Sequence, residues 1–147
     1  MKLIVQRVEK AKVVSVKGRK LLGEVGIGLF VLVGIKKGDS EKEVKVLVQK
    51  LSKLRVMSDK AGKMNLAVKD VEGSFLVVSQ FTLHADTSGG NRPSFINAED
   101  PEKARKLYKL FITELRETGI NVETGSFGDY MKIEAVLDGP VTIIYSD

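Results

Sequence analysis

Gly28-Leu29-Phe30-Val31-Leu32-Val33-Gly34-Ile35 is a continuous apolar run of strand length, and its reading decides the fold. A strand with one wet face would alternate apolar and polar residues, so this run predicts a strand buried on both faces. Upstream, Leu3 to Val8 and Lys12 to Val16 are two short β-prone runs, and Lys17-Gly18-Arg19-Lys20 reads as a hairpin turn. Downstream, Ser74 to Leu83, Val122 to Thr124, Met131 to Leu137 and Val141 to Tyr145 predict further strands. Asp138-Gly139-Pro140 joins the last two and reads as a turn, because glycine tolerates unusual dihedrals and proline fixes φ.

Two helices interrupt these strands. Ser40-Glu41-Lys42-Glu43 has the spacing of a capping box, in which serine and glutamate each satisfy a free backbone donor of the first turn. Val44, Leu47, Val48 and Leu51 then fall on one helix face. The second helix is signalled by Asp100 as cap, Pro101 in the first turn and Gly119 at the end. Its apolar face is Ala104, Leu107, Tyr108, Phe111 and Leu115. Many strands and two helices without strict alternation argue for an α+β fold. The expectation is one domain over residues 1–147, a curled, largely antiparallel or mixed sheet with two amphipathic helices packed outside.

The chain has 147 residues, 43% of them apolar and 29% charged, which suits one globular domain with a core of its own. No apolar run approaches the roughly 20 residues that span a bilayer, and the N-terminus lacks a signal-peptide layout. No membrane is therefore expected, and a cytoplasmic location is. Zero cysteines exclude disulfides, thiolate metal sites and cysteine nucleophiles, and one histidine, His84, leaves multi-histidine metal sites without ligands. Charge is uneven. Residues 1–63 hold 16 Lys/Arg against 6 Asp/Glu, and residues 64–147 hold 8 against 13. Such a basic half permits a phosphate-bearing partner, and equally suits lysines spread over solvated faces.

The usual catalytic motifs are missing. A serine–histidine–acid triad has only His84 as base, and no Gly-x-Ser-x-Gly elbow exists. Gly62-Lys63 lacks the upstream glycine of a phosphate loop, and Gly26-x-Gly28 precedes a strand where a dinucleotide fold needs a helix. No cofactor motif survives, and neither cofactor nor metal is expected. What remains is Val77-Val78-Ser79-Gln80-Phe81-Thr82-Leu83, a buried strand running into polar residues and then into the long segment His84 to Ala98. Strand ends that open into long loops commonly build sites.

Several strings, in order along the whole chain, resemble the D-aminoacyl-tRNA deacylase (D-tyrosyl-tRNA deacylase) family. They are Val5-Gln6-Arg7-Val8, Gly62-Lys63-Met64-Asn65, Ser79-Gln80-Phe81-Thr82-Leu83, Ala85-Asp86-Thr87 and Asn91-Arg92-Pro93-Ser94-Phe95. Thr124-Gly125-x-Phe127-Gly128, Met131 and Asp138-Gly139-Pro140-Val141-Thr142 follow. Three positions depart from the pattern: Leu137 where asparagine is usual, Asp129 where alanine is usual, and Gly89 where the loop often carries lysine.

The resemblance implies an enzyme that hydrolyses the ester joining a D-amino acid to the terminal ribose of tRNA, and that also accepts glycyl-tRNA mischarged on tRNA-Ala. It implies a homodimer of small β-barrel-like subunits with active sites at the subunit interface. The partner molecule is the acceptor end and 3′ terminal adenosine of aminoacyl-tRNA. Gly139-Pro140 is implied to form a cis peptide that reaches into the neighbouring subunit's pocket, with Arg7 buttressing it.

D and L groups have identical atoms, so only fixed geometry around Cα separates them. A rigid backbone that blocks one direction rejects an L side chain by collision and lets achiral glycine pass. Backbone N–H groups near Phe81 and Thr82 are candidate oxyanion donors, and the Thr82 hydroxyl is the obvious protein nucleophile. No base neighbours it in sequence, however, and the family is usually read as borrowing the ribose 2′-hydroxyl of the tRNA. Ser79 and Gln80 are expected to orient the substrate, and Phe127 and Met131 to line the pocket. A nucleic-acid-binding module without catalysis, or a structural dimerisation domain, are the alternatives.

Overall fold

Among residues 1–146, which the computed structural model describes, the strands are β1 (Lys2–Ser15), β2 (Leu21–Val25), β3 (Gly28–Gly34), β4 (Met57–Ser58), β5 (Met64–Leu66), β6 (Ser74–Ser79), β7 (Asn121–Thr124) and β8 (Met131–Ser146). The helices are α1 (Glu41–Ser52) and α2 (Pro101–Glu117). On β3, Leu29, Val31 and Val33 face one core cluster while Phe30 faces another; on β6, Phe75 and Val77 join the first, and Leu76 and Val78 the second. Side chains alternate across a strand, so a run apolar at every position is what burial on both faces requires.

The sheet is mixed. β3 and β6 pair in parallel, as do β6 and β7, whereas β1 is antiparallel to β2, β3 and β8. One edge of β1 carries β8 along nearly its whole length; the other edge carries β3 beside residues 2–8 and β2 beside residues 11–14. The sheet curls until β2 lies over β7. A Cβ on Gly23 would stand 2.9 Å from the Thr124 carbonyl oxygen, so the near-closure needs a residue without a side chain there. The result is a nearly closed barrel: the element pattern predicted the curled sheet with its helices outside, and the family resemblance its barrel-like form.

Both helices pack outside, against each other and over the larger core. Ser40 caps α1 as expected: its hydroxyl accepts from the Lys42 N–H at 3.2 Å, and the Glu43 carboxylate accepts from the Ser40 N–H at 2.8 Å. Val44, Leu47, Val48 and Leu51 are the buried face. On α2 the buried face is the expected one with Ile112 added. Full burial of a side chain such as Phe111 or Leu115 stabilises by roughly 1.5–3 kcal/mol, which holds these helices to the sheet. Asp100 departs from expectation: it occupies the cap position, but its side chain makes no capping hydrogen bond.

Three strand boundaries also depart from expectation. The two runs at the start are one 14-residue strand, β1, which continues because β8 accompanies it while its other partner changes. The two runs at the end are likewise one 16-residue strand. Asp138-Gly139-Pro140 does not reverse the chain; it is an irregularity within β8, opposite the register shift between Gln6 and Val8 of β1. Finally, β6 stops at Ser79, and Phe81–His84 form a 3₁₀ turn instead of continuing the strand. Gln80 still donates to the Val33 carbonyl at 2.8 Å, but β3 ends one residue later and offers no further ladder.

Candidate active site

The 3₁₀ turn at Phe81–His84 folds back over the end of β3. Gly34 permits this: a Cβ there would lie 2.9 Å from Leu83 Cβ and 3.1 Å from the Gln80 carbonyl oxygen. Lys2 at the start of β1 steadies the turn by donating its ammonium to the Leu83 carbonyl at 2.9 Å. The first hydrogen bond inside the turn runs from Leu83 N–H to the Gln80 carbonyl at 3.4 Å. The N–H groups of Phe81 and Thr82 come before it, so the turn itself has no acceptor for them.

Beside this turn lies a cavity of about 680 Å³, lined by Ser79, Gln80, Phe81, Phe127, Met131 and Arg105 among others. Five residues singled out in the sequence thus meet at one place. Phe81 is exposed at the rim and meets Phe95 of the long loop edge to face, with ring centroids 5.0 Å apart. Phe127 rests on the ring of Tyr108 at 5.7 Å, and Tyr108 is fixed by donating its buried hydroxyl to the Val77 carbonyl at 2.9 Å. Burial pushes the Tyr108 phenol well above its ordinary range, so it stays a neutral donor. Met131 Sδ accepts from the Ser126 N–H at 3.2 Å. A Cβ on Gly125 would come within 2.8 Å of that sulfur, which fixes the wall.

Thr82 belongs to the same turn, and its Oγ1 accepts from Gln80 Nε2 at 2.5 Å. Among the described residues no carboxylate or imidazole bonds to that hydroxyl. His84 Nε2 is buried without a hydrogen-bond partner and packs toward Gly34. Asp129, one of the departures noted above, is hydrogen-bonded to the hydroxyl of Ser126 and forms part of the cavity wall. Glu99, also on the wall, pairs with Lys103 at 2.6 Å, a bond that holds its carboxyl below the ordinary glutamate value.

Gly139, Pro140 and Arg7 are not in this cavity. They lie together on β1 and β8, with β3 between β1 and the strand that leads to the site. The Gly139–Pro140 peptide is cis, and Gly139 has φ of +124°, a conformation side chains rarely adopt. Arg7 is buried beneath it. Its Nε is 2.9 Å from the Asp138 carboxylate and donates to the Asp138 carbonyl at 3.3 Å. Its Nη1 donates to the Val56 carbonyl at 2.7 Å and to Ser58 Oγ at 3.2 Å. The segment also stands among exposed apolar side chains of β8: Ile133, Val136, Leu137 and Ile144.

A family model described as D-Tyr-tRNA(Tyr) deacylase matches residues 4–146. The chain belongs to that family. A D-aminoacyl-tRNA deacylase of Fusobacterium nucleatum is 52% identical over 144 residues, covering 98% of this chain and 94% of the relative. One of Thermosipho melanesiensis is 48% identical over 145 residues, covering 98% and 95%. Among solved structures, c-Myc DNA unwinding element binding protein superposes with a TM-score of 0.92 at 38% identity, covering 100% of this chain and 99% of that one. A probable eukaryotic D-amino acid tRNA deacylase shares the fold, with a TM-score of 0.85 at 14% identity and coverage of 98% and 97%. Its relatives make this deacylase-family chain an enzyme of ester hydrolysis.

Lys2, Gly34, Arg105 and Tyr108 shape the site and were not singled out for it in the sequence. Tyr108 was legible only as a core position, and a lysine at the start of a strand carries no signal of its carbonyl partner 81 positions away.

Proposed function

We propose that this chain hydrolyses the ester of D-aminoacyl-tRNA in the cavity beside Ser79–Thr82, and does so with the tRNA's own 2′-hydroxyl. The observation that carries this reading is the pairing of two backbone N–H groups, at Phe81 and Thr82, for which the turn supplies no acceptor, with a threonine hydroxyl that no base bonds among the described residues. Donors of this kind aimed at a developing oxyanion are worth about 3–4 kcal/mol of barrier. An unactivated threonine is a poor nucleophile, whereas the ribose arrives with a hydroxyl next to the ester. Ser79 and Gln80 orient the terminal adenosine, and Phe127 and Met131 wall the pocket.

The chiral filter is Gly139–Pro140, acting in a homodimer on the cavity of the other subunit. Three features support this. The segment lies away from its own cavity, it is held from beneath by Arg7, and it sits on a 16-residue strand paired only with β1 among the described residues. An edge strand of that length with exposed apolar side chains favours a partner. Backbone atoms closing one direction at Cα reject L side chains whatever their chemistry, and pass glycine, including glycyl-tRNA formed on tRNA-Ala.

Matched D- and L-tyrosyl-tRNA test the filter, and Thr82→Ala with 2′-deoxy-terminated tRNA tests the chemistry. The expected pattern is hydrolysis of the D ester alone, near-full rate in Thr82→Ala, and no turnover of the 2′-deoxy substrate. Normal turnover of the 2′-deoxy substrate would defeat the tRNA-assisted step. Equal rates on both enantiomers would defeat the filter. A second reading, nucleic-acid binding without catalysis, draws on the basic first 63 residues and on the name of the 38%-identical structure. Binding of tRNA with no ester loss above buffer would favour it.

A further inference from the structure

Arg105 is the basic residue of the cavity wall, and among the described residues no hydrogen bond or ion pair engages its donors. It projects from the first half of α2, and its guanidinium sits over the Phe127 ring, 5.1 Å from the centroid. Phe127 rests on Tyr108, one turn further along the same helix, and Tyr108 is bonded to β6 through Val77. The guanidinium is thereby oriented by a stack that ends in the sheet, at the cost of none of its five N–H donors. Among the described residues no carboxylate pairs with it. The neighbouring cation, Lys103, is by contrast neutralised by Glu99. Asp129, the other acidic group on this wall, is engaged by Ser126.

A planar, always-charged fork held at a cavity wall with no internal partner is suited to a phosphate. If the ester of an aminoacylated polynucleotide enters this cavity, the phosphate on the 5′ side of the terminal ribose comes with it, one nucleoside away. We infer that Arg105 binds a backbone phosphate of the single-stranded 3′ end and thereby positions the ester for hydrolysis. This rests on the deacylase reading above and adds to it a binding residue on α2, where the family strings quoted from the sequence do not fall.

The experiment compares D-tyrosyl-tRNA with 3′-O-(D-tyrosyl)adenosine, which carries the same ester and no phosphate, in the wild type, Arg105→Gln and Arg105→Lys. In Arg105→Gln the ratio of kcat/KM for the tRNA to that for the nucleoside ester falls about tenfold, the worth of one of the weaker charge-assisted hydrogen bonds. The fall resides in KM. The slope of log kcat/KM against log salt flattens by about 0.7, as for the loss of one single-strand phosphate contact. Arg105→Lys recovers most of the ratio and the slope. An unchanged ratio overturns the inference, and so does an equal loss on both esters, which would mark Arg105 as a mere support for Phe127. A wild type inactive on both esters overturns the deacylase reading itself and this inference with it.

Discussion

Replacing Arg7 by alanine tests whether the Gly139–Pro140 segment is held from beneath by a buried cation. The guanidinium side chain is 9% exposed and contacts three residues: the Asp138 carbonyl and carboxylate, the Val56 carbonyl and the Ser58 hydroxyl. Its removal leaves the Val56 carbonyl inside the protein without that donor, at a cost of about 1–3 kcal/mol. Losing the packed aliphatic stem adds about 2 kcal/mol, at roughly 0.8 kcal/mol per methylene. The Asp138 carboxylate is 44% exposed and stays hydrated, so its share is small. The sum is about 4 kcal/mol, or a fall of roughly 8–16 °C in Tm for a chain of this size. Thermal unfolding at matched protein concentration measures it, since association shifts apparent stability. If Gly139–Pro140 is the chiral filter proposed above, the loosened support also lowers the ratio of D- to L-tyrosyl-tRNA hydrolysis. A Tm shift below about 2 °C, with the ratio unmoved, refutes the reasoning.

Further outcomes follow from other contacts. Gly28→Ala puts a Cβ 1.9 Å from the Ser74 carbonyl oxygen, where β3 and β6 begin their pairing. Backbone cannot yield as a flexible side chain does, so the cost is at least about 3 kcal/mol, read by urea unfolding. Tyr108→Phe removes one hydrogen bond from the Val77 carbonyl, which keeps the Gly125 N–H at 3.2 Å; the expected loss is about 1 kcal/mol by the same assay. Acid destabilises the fold through Glu43, Asp59, Asp86 and Glu99, held below their ordinary values by hydrogen bonds from Ser40, Asn65, Ser88 and Lys103 respectively. Their contribution is complete above the unfolded-state values and is lost as pH falls through the lower folded ones. Tm measured against pH should therefore decline from about pH 4.5 downward, the ordinary value for the two glutamates, and a midpoint constant into lower pH would contradict this.

The elements that were legible are those whose burial imprints a period. β3 is apolar at every position because two cores claim it, and α1 shows its seam because only one face is covered. The failures share a different cause. Glu9 and Lys10 interrupt β1 as an apolar pattern, yet the strand continues there because β8 stays paired while the opposite neighbour changes. β8 alternates in each half, but Asp138-Gly139-Pro140 interrupts the period between them, so the pattern does not mark it as one strand. A turn within Gln80–His84 was hidden for a third reason: Phe81, Thr82 and Leu83 favour strands locally, and what ends the ladder is the end of β3, nearly 50 residues earlier.

The same logic divides the site. Ser79 and Gln80, with Phe81 beside them, could be found because polar residues at the end of a buried strand are unusual, and all three do reach the cavity with Phe127 and Met131. Gly139–Pro140 could not be placed by any local rule. Within one chain it is an exposed irregularity in a strand, tied to Arg7 and pointing at nothing in its own cavity. A wedge that discriminates by collision has to be stiff, and stiffness here comes from beneath, through a guanidinium that bonds to the carbonyl on one side of the bulge and to β4 and its preceding residue on the other. On the proposed reading, the burial of Arg7, at 8% exposure, is the intrachain counterpart of a filter exercised between chains, and the alanine variant then reads selectivity and stability together.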